Sequence, residues 1–405
     1  MQPGVVIVGG GQAGLEAAAA LRTQGYEGAV TLVCEEAHAP YQRPPLSKDF
    51  LTGKQEADSV FLRALAYYEK QRIDLILGER ATEINRGAKL VHLAGGGAIG
   101  YAQLILALGA RNRTLPVLGA ENAVYLRSLD EAVTLKQRLA EARHGVVVIG
   151  GGFIGLEVAA AARAAGKPVT VIEAAPRLMA RAVSPVLSNF FLDVHRAQGA
   201  EILLNTSVTE VHPDAVILSD GRPVGADLIV AGIGVVPYVE LAREAGLEVN
   251  DGIMVDEFLR TVDPDIFAIG DCADHPNAFA GGRARLESVQ NAVDQAKCVA
   301  RVITGNAAPY RDVPWFWTDQ YEIRFQMAGL SGSHDHSVIR GSIPDRKFSA
   351  FYFKQGQLLA VDSVNRFGDH ITARKMLAAG TPLTPEQAAD EAFDLKKLAA
   401  AQSAG

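Results

Sequence analysis

Three glycines near the start of the chain have the spacing G-x-G-x-x-G: Gly9, Gly11 and Gly14. An apolar run at 5–8 precedes them and an alanine-rich stretch at 15–21 follows, which predicts a strand and a helix. In such a unit the first glycine allows a tight turn, the second admits a pyrophosphate, and the third lets helix pack on strand. The next apolar run ends before Glu35, a candidate acceptor for a ribose hydroxyl. The pattern predicts a dinucleotide site.

The same pattern occurs a second time. Residues 147–166 repeat residues 6–25 almost residue for residue, and the glycine positions are taken by Gly150, Gly152 and Gly155. The following apolar run, 169–172, leads directly to Glu173. Two adjacent dinucleotide sites are typical of proteins that pass electrons from one cofactor to the other. The alternative is a duplicated structural module that binds nothing.

Lys48 and Glu157 are two candidate catalytic residues beside a flavin. Lys48 follows Pro44-Pro45, and a lysine next to flavin N5 stabilises the negative charge that develops on reduction. The alternative is a solvated lysine after a proline turn. Glu157 lies at the start of the second predicted helix, where the dipole favours an acid by about 0.3–1 kcal/mol. Glu16 occupies the same place in the first repeat, so the pattern leaves the pairing of Glu157 with Lys48 open.

Glu173 also bears on the choice of nicotinamide cofactor. A carboxylate can accept two hydrogen bonds from a ribose diol, and it repels the 2′-phosphate of NADP by roughly 4 kcal/mol at about 4 Å and an effective dielectric constant of about 20. Arg177 and Arg181 follow closely and could soften this repulsion. The sequence favours NADH.

Three further features each have a plain alternative. Asp271 follows Gly270 after an apolar stretch, and it is either a turn residue or an acceptor for a ribitol hydroxyl. Trp317 is either a core aromatic or a residue packed near a flavin. His334 and His336 resemble a metal pair, but they lie in a Gly/Ser turn with no third ligand nearby, so no metal site is predicted.

Bulk properties exclude several classes of protein. The chain has 405 residues, which suggests two or three domains, and its composition of 48% hydrophobic and 21% charged residues is that of a globular protein. The net charge of −7 gives no support to nucleic-acid binding. Three distant cysteines argue against a disulfide framework, a zinc site and a redox dithiol. We see no signal peptide and no apolar run of about 20 residues, so we expect a cytoplasmic protein without a membrane span.

Local patterns predict the remaining elements. We expect a hairpin of strands 90–94 and 99–101, a separate strand at 104–109, a helix at 130–143 and an apolar strand at 261–271 that ends in Gly270-Asp271. Thr384-Pro385-Glu386-Gln387 predicts a helix start with a capping box.

Five motifs, in order, resemble a known family: G-G-G-x-A-G, YQRPPLSK, GGGFIGLE, DIFAIGD and PWFWTDQ. The chain resembles the FAD-dependent NADH:ferredoxin reductases of bacterial oxygenase systems over its whole length. The resemblance implies an α/β, glutathione-reductase-like fold with two Rossmann-type domains and a small α+β C-terminal domain. The implied limits are 1–112 and 241–310 for the FAD-binding domain, 113–240 for the NAD-binding domain and 311–405 for the last.

The resemblance also implies site residues. It implies FAD contacts at Ala13, Glu35, Lys48, Ala81, Arg127, Asp271 and Val289. It pairs Lys48 with Glu157 near N5, puts Glu173 on the NADH ribose and Trp317 against the flavin. Further cofactor-binding candidates are Arg43, Ile154 and Arg181. The chain departs from the family at Leu108, where an Ala-Thr-Gly threonine is usual, and at Ala81, which is often valine.

The implied function is transfer of a hydride from NADH to bound FAD and of single electrons to a 2Fe-2S ferredoxin, which supplies a cytochrome P450 monooxygenase or a ring-hydroxylating dioxygenase. Arg63 and Lys297 are candidates for a basic patch that docks the acidic ferredoxin, and we expect a monomer or weak homodimer. One rival is an NADH oxidase or peroxidase of the same fold, which needs a redox cysteine where this chain has Pro44 and Pro45. Another is a non-enzymatic NADH-sensing flavoprotein.

Overall fold

A computed structural model describes residues 4–402, the last by its backbone only. The strands are β1 Gly4–Val8, β2 Val30–Cys34, β3 Ile73–Leu77, β4 Ala81–Asn85, β5 Leu90–Leu93, β6 Ala98–Leu106, β7 Ala110–Asn112, β8 Val146–Ile149, β9 Val169–Ile172, β10 Glu201–Leu203, β11 Val208–Val211, β12 Ala215–Leu218, β13 Pro223–Gly225, β14 Leu228–Ala231, β15 Val235–Pro237, β16 Ile253–Met254, β17 Ile266–Ala268, β18 Ala273–Asn277, β19 Gly282–Ala284, β20 Trp315–Gln320, β21 Ile323–Gly329, β22 His336–Ser342, β23 Lys347–Lys354 and β24 Gln357–Val364. The helices are α1 Gln12–Thr23, α2 Leu65–Lys70, α3 Leu129–Glu141, α4 Phe153–Ala164, α5 Pro185–Ala197, α6 Glu240–Glu244, α7 Val289–Ile303, α8 Phe367–Ala379, α9 Pro385–Ala389 and α10 Leu395–Gln402.

The chain divides into two compact units. The first contains Met1–Gln42, Val60–Arg111 and Val236–Trp315, and the second contains Arg43–Ser59, Asn112–Val235 and Phe316–Gly405. Each unit holds one of the two glycine motifs. The four-part division into domains stays a prediction.

The first unit is built on a seven-stranded sheet. Its order is β3-β2-β1-β6-β5-β4, and β17 also pairs with β6. Strands β3, β2, β1, β6 and β17 run parallel, so their carboxyl ends share one edge. All five residues of β1 are buried, as is usual for the central strand of a parallel sheet that is covered on both faces. The glycine turn follows β1 at the carboxyl edge, where β2 and β6 flank it and nucleotides bind in folds of this type.

Strand β6 corrects the prediction of two separate strands at 99–101 and 104–109. Its first residues pair antiparallel with β5, and from Tyr101 onward it pairs in parallel with β1. The hairpin is confirmed, but its second strand continues without a break. The polar Gln103 interrupts the apolar pattern, although it remains within the ladder opposite Val5.

The stretch 261–271 forms less strand than the pattern predicts. Only β17 is regular, and a 3-10 turn at Gly270–Cys272 follows it. The Thr261 hydroxyl donates to the Asp263 carbonyl and accepts from the Asp263 N–H, and the Asp265 N–H donates to the Asp263 carboxylate. These local hydrogen bonds favour a turn over a strand.

The second unit contains a four-stranded parallel sheet of order β10-β9-β8-β14. This repeats the order β3-β2-β1-β6 of the first unit, with α4 after β8 where α1 follows β1. A three-stranded antiparallel sheet, β11-β12-β13, packs with it around one apolar core that includes Val147, Val216 and Ile229.

The second unit also contains a five-stranded antiparallel sheet of order β20-β21-β24-β23-β22. Helices α8 and α10 contribute to the core that contains Phe351, Phe353 and Met376. The capping box predicted at Thr384 is confirmed: its hydroxyl accepts from the Gln387 N–H and the Gln387 side chain accepts from the Thr384 N–H. The α+β character predicted for this segment is present.

Candidate functional site

The glycine turn of the first unit packs closely around Gly9 and Gly14 and leaves open space at Gly11. Gly9 has φ +119°, and a Cβ there would lie 2.1 Å from the Ala107 carbonyl oxygen. A Cβ on Gly14 would lie 1.9 Å from the Gly9 carbonyl oxygen, so helix and turn touch. At Gly11 a Cβ would meet no described protein atom within 4 Å. Gly11 therefore borders open space at the start of α1, where the first N–H groups lack intrahelical acceptors and suit an anion.

The second unit repeats this geometry. Gly150 has φ +107° and its added Cβ would lie 2.5 Å from the Gly232 carbonyl oxygen, while that of Gly155 would lie 2.1 Å from the Gly150 carbonyl oxygen. The nearest described atom to a Cβ on Gly152 would be 4.0 Å away. Ile154, in the first turn of α4, is 39% exposed. The residues present thus fit a pyrophosphate in each unit.

The two predicted ribose carboxylates end corresponding strands but differ in their surroundings. Glu35 follows β2 and is exposed. Glu173 follows β9 and is half-buried, and its two oxygens accept from the N–H groups of Gly151 and Ala175, each at 2.7 Å. One donor on each oxygen fixes the plane of the Glu173 carboxylate and leaves further acceptor capacity for a diol.

The two arginines after Glu173 are not equivalent. Arg177 donates to the carbonyl oxygens of Ala180 and Val183, each at 2.6 Å, and to Ser188 Oγ at 2.9 Å. Arg181 is exposed, and its Nη2 lies 3.0 Å from the place of a Cβ on Gly234. Arg177 is therefore committed to protein acceptors, and of these two arginines Arg181 stays the predicted ligand contact.

Other predicted FAD contacts lie in the first unit. The Gly270 N–H donates to the buried Gln295 Oε1 at 2.7 Å, which holds the turn that carries Asp271 against α7. A Cβ on Gly270 would come within 3.0 Å of Ala13 Cβ, so Ala13 and this turn are neighbours. Val289 is the first residue of α7, and Ala81 is the first residue of β4, half-buried.

The second unit contains a buried ion pair. Lys48 Nζ lies 2.8 Å from Glu157 Oε1, and their side chains are 16% and 4% exposed. The Ser47 hydroxyl donates to Glu157 Oε2 and the Thr318 hydroxyl donates to Oε1, each at 2.5 Å. The Glu157 carboxylate thus has three donors. This satisfies the condition under which a charge is tolerated in the interior.

Local structure explains how Lys48 reaches Glu157. Pro44–Ser47 form a 3-10 turn, the Lys48 N–H donates to the Pro45 carbonyl, and Lys48 Nζ also donates to the Pro44 carbonyl at 3.2 Å. The pairing that the pattern left open is present. The repeat-related Glu16 is different, because it is half-buried and accepts from Gln12 at 3.1 Å.

Two more candidates are brought together in the second unit. Arg43 Nη1 donates to the Arg127 carbonyl at 2.5 Å. The Arg127 N–H in turn donates to Glu131, which forms the capping box of α3 with Ser128. The turn that carries Lys48 is thereby fastened to the start of α3.

Trp317 is half-buried on β20. Its neighbour Phe316 packs on Phe153 of α4, with ring centroids 4.7 Å apart. Sequence reasoning missed Thr318, which is fully buried, and the role of Ser47 as a donor. The signal for Thr318 was the two-residue period of a strand, which places Thr318 and Gln320 of PWFWTDQ on the same face of β20.

Several other predictions have structural outcomes. Cys34, Cys272 and Cys298 are buried and unpaired, and burial raises the pKa of the Cys34 thiol to about 12. Within residues 4–402 no cluster of three His, Cys, Asp or Glu side chains suits a metal, and no helix is long and apolar enough to cross a membrane. Arg63 and Lys297 have side chains 41% and 56% exposed.

Comparison with known proteins agrees with this geometry. The family described as pyridine nucleotide-disulphide oxidoreductase matches residues 3–296, and the reductase C-terminal family matches residues 315–399. Rhodocoxin reductase of Rhodococcus erythropolis is 51% identical over 97% of this chain and 93% of its own length.

Two solved structures extend the comparison. The ferredoxin reductase for the CYP199A2 system of Rhodopseudomonas palustris has a TM-score of 0.96 and 47% identity, covering 98% of this chain and all of that one. The covalent putidaredoxin reductase–putidaredoxin complex matches with a TM-score of 0.96 and 40% identity, covering 100% of both chains. The predicted fold class is confirmed, and the chain belongs to the pyridine nucleotide-disulphide oxidoreductase family, among the ferredoxin reductases that the sequence predicted.

Proposed function

We propose that the chain is an FAD-dependent oxidoreductase that takes a hydride from NADH and passes electrons one at a time to a 2Fe-2S ferredoxin of an oxygenase system. The observation that carries this proposal is the duplicated cradle, in which Gly11 and Gly152 each border open space at a helix start. Similarity to ferredoxin reductases over the full chain supports the acceptor. The putidaredoxin complex supports a ferredoxin as the partner class.

The chain's own residues bind and orient the cofactors. Backbone N–H groups at the starts of α1 and α4 hold pyrophosphates, Glu35 and Glu173 accept from ribose hydroxyls, and Asp271 accepts from the ribitol. When bound, FAD supplies the conversion of one hydride into two separate electrons. Further cofactor contacts that we propose, on the predicted pattern, are Ala13, Arg43, Ala81, Arg127, Ile154, Arg181, Val289 and Trp317.

Lys48 and Glu157 provide charge at the reacting ring. The Lys48 side chain is only 16% exposed, so its ammonium acts in a lower dielectric than water and would stabilise negative charge that develops on reduction. Glu157 holds Lys48 in place and balances its charge before reduction. We propose no role for a thiol, since burial raises the pKa values of Cys272 and Cys298 to about 11.

For the partner we propose electrostatic docking that uses Arg63 and Lys297. Both are exposed cations on the first unit, and each has a carboxylate 3.9 Å away, Glu16 and Asp294 respectively. We also propose a monomer or weak homodimer, measurable by sedimentation. A reducing, cytoplasmic setting suits three cysteines that form no disulfide.

The experiment is NADH-dependent reduction of a panel of 2Fe-2S ferredoxins by the purified yellow protein, scored by kcat/KM. We expect at least one ferredoxin to be reduced far faster than oxygen. Rapid NADH oxidation with oxygen alone would instead indicate an oxidase, and slow turnover with every acceptor would indicate a sensor. Protein that stays colourless after incubation with FAD would overturn the proposal.

A further inference from the structure

A line of hydrogen bonds runs from the Glu157 carboxylate through the interior of the second unit. The Thr318 hydroxyl donates to Glu157 Oε1 at 2.5 Å, and Gln320 Nε2 donates to Thr318 Oγ1 at 3.4 Å. Gln320 Oε1 and His195 Nε2 are 2.9 Å apart, and His195 Nδ1 lies 3.3 Å from the Tyr321 hydroxyl. The line connects α4, β20 and α5.

Every member between the two ends is buried. Thr318 and His195 are 0% exposed and Gln320 is 1% exposed. Buried polar groups are costly when unpaired, and a network in which each member is satisfied is correspondingly rigid. An apolar core would fill the same space without this requirement, so three consecutive polar side chains at these positions need a reason beyond packing.

The chemistry of the groups fixes one direction along the line. A carboxylate oxygen beside Lys48 accepts, so Thr318 has to donate to it and to accept from the Gln320 amide nitrogen. The Gln320 carbonyl then accepts, which requires the proton of His195 on Nε2 and leaves Nδ1 to accept from Tyr321. Burial lowers the pKa of His195, in agreement with a neutral ring that has one donor and one acceptor.

The line orients rather than conducts. An amide such as Gln320 does not pass protons readily, so a proton relay from Tyr321 to Glu157 is not its function. Gln320 donates to Thr318 Oγ1 and thereby restricts the rotation of the Thr318 hydroxyl. The hydrogen of that hydroxyl then points at Glu157 Oε1. The same oxygen is the one that Lys48 contacts.

We infer that Thr318, Gln320 and His195 are positioning residues that hold Glu157, and through it the Lys48 ammonium, in the geometry used for flavin reduction. This inference rests on the proposed role of Lys48 and Glu157. Thr318 acts directly on the carboxylate, and Gln320 and His195 act through Thr318, so the expected effects decrease in that order.

The test uses FAD-loaded full-length protein and stopped-flow reduction by NADH. Thr318→Val keeps the shape of the side chain and removes the hydroxyl, and we expect the limiting reduction rate to fall about tenfold while the NADH dissociation constant changes less than about twofold. Thr318→Ser should restore most of the rate. Gln320→Met should slow reduction about two- to fivefold, since Thr318 can still donate but is no longer locked.

Controls separate positioning from stability and from the proposed function. Thr372→Val removes another buried hydroxyl of the same unit, which donates to the Gly368 carbonyl at 2.8 Å, and should leave the rate unchanged. Wild-type rates in Thr318→Val and Gln320→Met with a slow Glu157→Gln would overturn the inference alone. Wild-type rates in all three would overturn the role of the ion pair as well. A slow Thr318→Val that Thr318→Ser does not rescue would indicate lost packing and would also overturn it.

Discussion

Lys48 Nζ and Glu157 Oε1 form an ion pair 2.8 Å long, with the Glu157 side chain 4% exposed. The two residues lie far apart along the chain, and a proline-started turn and the first turns of α4 bring them together. A buried pair contributes little to stability over an apolar replacement, because desolvation offsets the attraction. We therefore expect these two charges to serve the proposed reaction rather than the stability of the fold.

We expect Lys48→Met and Glu157→Gln to slow flavin reduction by NADH about 100-fold, the scale for loss of one preorganised charge-stabilising group. FAD content should stay near wild type, because the cradle at Gly11 is unchanged. Stopped-flow absorbance of the flavin band checks the rate. Lys136→Met is the matched control: it removes a cation of the same unit that lies over the Phe50 ring, and should reduce normally.

Glu173 should set the preference for NADH over NADPH. Its carboxylate is fixed by two N–H donors, and Arg177 is occupied by three protein acceptors and so cannot neutralise a 2′-phosphate. Glu173→Ala removes hydrogen bonds to a charged group, worth about 1.5–3 kcal/mol, so kcat/KM for NADH should fall about 10- to 100-fold. The NADPH value should rise, because the repulsion is lost.

Steady-state kinetics with both nucleotides measure this change. Glu201→Ala serves as the control, since Glu201 is exposed at the amino end of β10, on the opposite edge of the sheet. An unchanged NADH/NADPH ratio in Glu173→Ala would show that the ribose lies elsewhere.

Gly11→Ala tests the cradle without disturbing the fold. The added methyl group enters space free of described protein atoms, so the unfolding free energy of FAD-free protein should change by less than about 0.5 kcal/mol. FAD affinity should fall about 10- to 100-fold, because a methyl group inserted into a filled site costs about 1–3 kcal/mol.

Substitutions at two other glycines serve as controls for Gly11→Ala. Gly97→Ala, in the β5–β6 turn, also adds a methyl group to open space and should leave FAD binding unchanged. Gly14→Ala places a carbon 1.9 Å from the Gly9 carbonyl oxygen and should prevent folding. Flavin fluorescence titration and thermal melting measure the two effects, and normal FAD affinity in Gly11→Ala would argue against the cradle.

Local sequence patterns predicted the parts of the site that are formed by residues close to one another in the sequence. The glycine turns and the carboxylate after each second strand depend on residues close in sequence, as does the Thr384 capping box outside the site, and the structure shows all three features. The hydrogen bonds that Glu157 accepts from Ser47 and Thr318 were not predicted, because both residues are separated from it by more than 100 residues and only the tertiary fold joins them. A glutamate near the start of a helix has the same sequence pattern whether its side chain is solvated or, like that of Glu157, buried.

Strand β6 shows the same limit at the level of the fold. Its residues change partner, from β5 to β1, within one continuous strand. Periodicity reports whether a residue is buried but not which strand lies beside it, so the change of environment predicts two strands where the structure has one. The turn at Gly270, in contrast, was one of the two alternatives that the sequence offered for Asp271.

Asp362 should make stability depend on pH. It is 1% exposed and accepts from the Tyr352 hydroxyl at 2.9 Å, and burial raises the pKa of its carboxyl to about 7. The folded protein therefore binds this proton more tightly than the unfolded chain, whose value is about 3.9. By linkage, this contribution is complete below about pH 4 and is lost as the pH rises to about 7, with a ceiling of about 4 kcal/mol.

Urea unfolding of wild type and Asp362→Asn between pH 4.5 and 8 measures the effect. The variant cannot ionise here, so its stability relative to wild type should improve as the pH rises. Asp345→Asn, at an exposed position, is the control and should show no such trend. A constant difference between Asp362→Asn and wild type across this range would show that Asp362 does not titrate.

Arg63 and Lys297 should govern ferredoxin docking rather than flavin chemistry. Exposed charges at the rim of an interface act mainly on association rate and salt dependence. Arg63→Glu and Lys297→Glu should each raise KM for an acidic ferredoxin about tenfold at low salt, with a smaller effect at high salt, where screening weakens the attraction. NADH-dependent reduction of ferricyanide, which needs no docking surface, should stay at the wild-type rate.

Arg222→Glu reverses an exposed charge on the second unit and is the control for net charge alone. Equal ferredoxin KM values in all three variants and wild type would place the docking surface away from Arg63 and Lys297, because reversal of a charge inside an electrostatic interface converts attraction into repulsion.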